Sequence, residues 1–75
     1  MLPLAMATIF LRHHSGATHA LSGRREAALR RSIREGSARE VNAWIAAGYT
    51  DFIGKDGYSA PLDAEALEQY YGATR

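Results

Sequence analysis

Six arginines stand in the sixteen residues from Arg24 to Arg39: Arg24, Arg25, Arg30, Arg31, Arg34 and Arg39. The planar guanidinium fork grips carboxylates and phosphates alike, so the chemistry such a run can perform is to hold an anion. Residues 24, 27, 31 and 34 fall on one helical stripe at i, i+3, i+7 and i+10, with residue 30 beside it. Arg24, Arg30, Arg31 and Arg34 would then share a broad face opposite Leu29 and Ile33. A merely solvated face has the same look, with Glu26 pairing to Arg30 at i+4 for about 0.2–0.5 kcal/mol. Arg24 and Arg25 in the first turn, and Glu35 in the last, run against the helix dipole, at about 0.3–1 kcal/mol each at low salt. A helix arranged against its own dipole points toward a partner.

The other reactive side chains suggest less. His13, His14 and His19 are potential metal ligands, but no fourth ligand follows at a spacing that zinc sites use. They read as polar loop residues, with no metal or other cofactor. No cysteine is present, no serine lies in a G-x-S-x-G elbow, and no glycine-rich phosphate loop appears. Asp51 and Asp56 read as turn formers. The expectation is a protein that is not an enzyme. Among the late aromatics Trp44 is a core candidate. Tyr70 and Tyr71 are adjacent and are not expected to point inward together, so one should offer a protein contact at the surface.

Seventy-five residues make one domain, with 47 % apolar and 23 % charged residues, an ordinary globular balance. A chain this short buries only about 60 % of its unfolded surface. Without cysteines it has no disulfides to add, which fits a cytoplasmic address. The net charge of +1 hides an asymmetry: residues 1–39 carry seven arginines against two glutamates, residues 40–75 six acids against two bases. The two halves attract each other, within the fold or between subunits of a homodimer, or else the first half meets an anionic partner. The apolar opening MLPLAMATIFL is too short to span a bilayer, which takes about 20 residues, and lacks the basic start of a secretory signal. No membrane association is expected. ATIFL suits a buried strand. Met6 is an alternative start, with residues 1–5 a dispensable leader.

The elements that must position these groups follow from local signals. HHSGATHA reads as loop, with THAL a potential short strand. Ser22 is placed to cap a helix from about 23 to 35, whose apolar residues are Leu29 and Ile33 with Ala28 beside them, and Gly36 ends it. Ser37 and Glu40 have capping-box spacing for a second helix, about 38 to 47, with Val41, Trp44 and Ile45 on one face and Gly48 as its stop. Asp56-Gly57 marks a hairpin pairing roughly 50–53 with 58–60, and Pro61 keeps the second strand from lying centrally. Asp63 caps a last helix, about 64 to 71, with Leu62 and Leu67 as a hydrophobic staple and Gly72 as its end. The fold class is α+β: a small single domain with an N-terminal strand, two consecutive helices, a short β-hairpin and a C-terminal helix.

The run THALSGRREAALRRSIREGSAREVNAWI, residues 18–45, resembles ribbon-helix-helix DNA-binding proteins of the repressor and antitoxin type. The resemblance covers about a third of the chain, and helix–Gly-Ser–helix is a common pattern. It implies a dimer that pairs Thr18–Leu21 between chains and lays that ribbon in the major groove. Thr18 and Ala20, or His19, would then face bases, and the helix start at Ser37 and Ala38 would hold a phosphate. Ala20 has no group with which to read a base, and residues 49–75 lie outside the basic unit as an extra partner-binding segment. Two functional expectations stand. The first is a small non-catalytic interaction module, of the phage- or plasmid-type accessory or inhibitor kind. It would dock on a larger acidic protein through Arg24, Arg25, Arg30, Arg31, Arg34, Ser37 and Arg39. The alternative is the dimeric DNA-binding protein.

Overall fold

A computed structural model of the chain describes residues 9–73, which form four strands and three helices. The leader expected at residues 1–5 and the alternative start at Met6 lie outside the described residues. β1 (Ile9–His13) and β2 (Thr18–Leu21) form a hairpin, so THAL is a strand. β3 (Tyr49–Ile53) and β4 (Ser59–Pro61) form the second hairpin. The sheet is antiparallel throughout, in the order β2-β1-β3-β4. β1 alternates as a half-buried strand must: Ile9 and Leu11 are buried, while Phe10 and Arg12 are exposed. One core forms between the Ile9–Leu11 face and the helices, floored by Leu21 and Phe52. The α+β class and the order of elements are as the sequence implies.

α1 (Gly23–Arg34) buries Leu29 and Ile33. Ala28, expected beside them, is exposed; Glu26 and Ser32 are buried instead. Ser22 holds the N-cap position in extended conformation but makes no side-chain cap. Gly36, at φ +77°, takes the left-handed turn that ends the helix.

α2 (Arg39–Ala46) starts one residue later than expected, with Ala38 in the N-cap position. The end of α1 is the cause. The Ser37 N–H donates to the Ser32 carbonyl, and the Ser32 hydroxyl donates back to the Ser37 carbonyl, both at 2.9 Å. Held there, Ser37 can only accept the Arg39 N–H at 3.2 Å, so the box with Glu40 does not form. Of the expected apolar face, Val41 reaches the core, Trp44 is half-buried and Ile45 is 44 % exposed. α2 packs on the rim, against α1 and the Tyr49 end of β3, where the core has little depth left to receive Ile45.

In the second hairpin Asp56 and Gly57 both adopt positive φ, as the Asp-Gly signal requires, and Pro61 lies on an edge strand. α3 (Ala64–Ala73) is capped by Asp63, whose carboxylate accepts the Ala66 N–H at 3.3 Å. Leu62 and Leu67 are both buried, as the staple predicts. Gly72 does not end the helix, which runs through it to Ala73. Tyr70 and Tyr71, both anchored in the core, hold its last turns in place.

Candidate functional site

The helical phase of α1 divides its charges. Arg24, Arg31 and Arg34 point away from the core and are exposed, Arg25 is exposed in the first turn, and Arg39 is exposed at the start of α2. None of the five makes an ion pair; among the described residues the one ion pair is Arg30–Glu26. Ala27 and Ala28, also exposed, lie between the arginines and keep the crest low. The dipole conflict is milder than the sequence implies: Glu26 also lies in the first turn, and Arg31 and Arg34 fall in the last, where cations are favourable. A shallow depression of about 430 Å³ opens between α1 and α2. Arg31 and Arg39 line it together with Glu35 and Glu40, and Ser32 and Ser37 form its polar floor.

Arg30 does not belong to that crest. Its guanidinium turns along the helix flank and donates to both carboxylate oxygens of Glu26 at 3.2 Å. It also lies 5.1 Å from the ring centroid of Tyr71, close enough for a cation–π contact. Glu26 is 1 % exposed. The Tyr71 hydroxyl completes the group, donating to Glu26 Oε2 at 2.5 Å from 45 residues away in the chain. A buried carboxylate persists when it is paired and hydrogen-bonded, and here it gains three donor contacts. Burial, then the bond to Glu26, hold the Tyr71 phenol well above its ordinary value of 10.0.

The expected surface contact through Tyr70 or Tyr71 is therefore corrected: each is 8 % exposed. Adjacent residues on a helix are separated by about 100°, and α3 has a neighbour on each of two sides. Tyr71 meets α1. Tyr70 meets the second hairpin, packing on Phe52 and Tyr58 and accepting the Lys55 N–H at 2.7 Å. The stripe Leu67, Tyr70, Tyr71, at i, i+3 and i+4, carried this information. So did Glu26, which stands at i−3 from Leu29 and i−7 from Ile33 on the apolar stripe of α1.

The suggested base contacts separate. Thr18 and Ala20 are exposed on the outer face of the sheet. His19 points the other way, as alternation along β2 demands, half-buried against Trp44 and Tyr49 at centroid distances of 5.3 and 6.2 Å. Its Nε2 is buried without a hydrogen-bond partner. His13 is committed elsewhere. Its Nδ1 accepts the Ser15 N–H at 3.2 Å, so its Nε2 carries the proton and donates to the Ala47 carbonyl at 3.1 Å. Among the described residues no three His, Cys, Asp or Glu side chains gather to hold a metal ion. No helix among them is long and apolar enough to cross a membrane.

No known family, curated protein or solved structure matches this chain.

Proposed function

We propose that this chain is a non-catalytic docking module of the cytoplasm that presents the crest of α1 and the start of α2 to an acidic surface on a larger protein. The observation that carries this reading is the set of five exposed guanidinium groups that make no ion pair among the described residues. On this reading Arg24, Arg25, Arg31, Arg34 and Arg39 meet their carboxylates on another molecule. Ser37 sits at the depression but is bonded back to Ser32, so it contributes shape and one hydroxyl, while Arg30 supports the crest from behind.

The composition of the depression supports a protein partner over DNA. Glu35 and Glu40 stand beside Arg31 and Arg39 there. A mixed patch suits a protein surface that returns a cation among its acids, and it suits a continuous phosphate backbone less well than an all-cationic one. The DNA-binding alternative draws on the same arginines and on exposed Thr18. In this fold, however, one edge of β2 is already occupied by β1.

The test compares wild type with Arg31→Glu/Arg34→Glu, both immobilised, for protein captured from lysate, alongside a mobility-shift titration with a DNA duplex. The reading expects a protein retained by wild type at low salt, lost on the variant, and no DNA shift. A DNA shift with micromolar protein, falling steeply with salt, would replace this reading by the alternative. Equal capture by wild type and variant would remove the crest from either.

A further inference from the structure

We infer that a second copy of this chain covers the arginine crest, through a two-fold contact in which α1 of each protomer lies across α3 of the other. α3 is the electrostatic complement of α1. Glu65 and Glu68, one turn apart, are exposed on its outward side, with Asp63 at its start, and none of them makes an ion pair among the described residues. Among the described residues no ion pair joins the basic half of the sequence to the acidic half.

Their placement makes the surface self-complementary. α1 and α3 lie side by side over the same core and are tied by the Tyr71–Glu26 hydrogen bond. Each turns its buried residues to that core and its charges outward, so a positive stripe and a negative stripe run next to each other. A two-fold axis lying between the helices, in the plane of contact, sets the positive stripe of one protomer on the negative stripe of its partner, and does so twice. Closed isologous pairing of this kind is the commonest route to a dimer. Ala27 and Ala28 on α1 leave room for the facing helix to approach. This contact does not require the docking reading: it concerns what lies on the crest when the protein is alone in solution.

Sedimentation velocity on the full chain tests it. The comparison is between about 0.01 M salt, where the Debye length is about 30 Å, and about 1 M, where it is about 3 Å. The expected result is a concentration-dependent dimer at low salt, whose dissociation constant rises at least about tenfold at high salt. Arg31→Glu/Arg34→Glu sets acid against acid, Glu65→Arg/Glu68→Arg sets base against base, and each alone should be monomeric. An equimolar mixture of the two variants should restore a heterodimer. All four positions are exposed, and unchanged far-UV circular dichroism establishes that both variants fold. A wild type that stays monomeric at low salt overturns the inference, as does a dimer that survives either substitution or a mixture that does not associate. Glu65→Arg/Glu68→Arg leaves the crest intact, so its capture of an acidic protein reports on docking separately.

Discussion

Arg30 and Arg31 are neighbours on α1 and lead opposite lives. Arg30 lies along the inner flank, gripping a carboxylate that is 1 % exposed and resting on an aromatic ring. Arg31 stands exposed on the crest and makes no ion pair among the described residues. A rotation of about 100° around the helix separates a charge bound into the fold from one exposed to solvent. The same side-chain chemistry is tied into the fold on one side and left in water on the other, and the choice is made by the phase of the helix relative to the core.

Changes on the inner flank should cost the most. Glu26→Ala leaves the Tyr71 hydroxyl and the Arg30 guanidinium without their shared acceptor. Breaking a buried pair costs about 3–5 kcal/mol, and partial exposure of Arg30 lowers the expectation to about 2–4 kcal/mol. That is a large share of the stability of a small domain. Urea unfolding followed by tryptophan fluorescence measures it. A shift no larger than that of a crest substitution would erase the distinction between the two flanks.

Tyr71→Phe removes one donor from the buried carboxylate and should cost about 1–3 kcal/mol. It also carries a pH signature. The folded-state value of the Tyr71 phenol lies above the unfolded value of 10.0, raised first by burial and then by Glu26. Above pH 10 the unfolded chain releases this proton while the folded chain keeps it, so stability is full below that pH and falls as pH rises beyond it. The urea midpoint of wild type should drop above pH 10, and Tyr71→Phe should lose that part of the slope.

Gly54→Ala sharpens the comparison from the other tyrosine. A Cβ at this position would stand 2.5 Å from the ring of buried Tyr70. Overpacking of this kind costs about 1–3 kcal/mol, and the smallest possible side chain places it in the lower part of that range. The same change should loosen the hydrogen bond from the Lys55 N–H to Tyr70, seen as faster exchange of that amide.

What the sequence disclosed and what it hid divide along the same line. Elements were legible because their signals are local: Asp56-Gly57 for the second hairpin, Asp63 with Leu62 and Leu67 for α3, Gly36 and Gly48 for the stops. The exposed arginines were legible because a helix without apolar residues on one side must turn that side to water. The Glu26–Arg30–Tyr71 group was hidden because Tyr71 lies 45 residues from Glu26, and because charge at Glu26 outweighed its position on the apolar stripe. Tyr70 and Tyr71 were misjudged by assuming a single wall, whereas α3 has two. Ser37 stands where a cap is expected, yet Ser32 holds it, an interaction that depends on how α1 ends.

The crest should give the smallest effects, and their signs are informative. Arg31→Ala/Arg34→Ala removes cations from the last turn of α1, where each interacts favourably with the dipole by about 0.3–1 kcal/mol at low salt. Alanine returns part of that through its helix propensity, leaving a loss of about 0.5 kcal/mol or less. Arg24→Ala/Arg25→Ala removes cations from the first turn, where the dipole opposes them, so it should raise stability by a few tenths of a kcal/mol, roughly the exposed-site magnitude. Both shifts should vanish in high salt, while binding of an acidic partner weakens in both variants. A crest whose substitutions alter recognition without a common direction in stability is answering to another molecule. One whose four arginines all stabilise the fold would be part of the packed structure, like Arg30, after all.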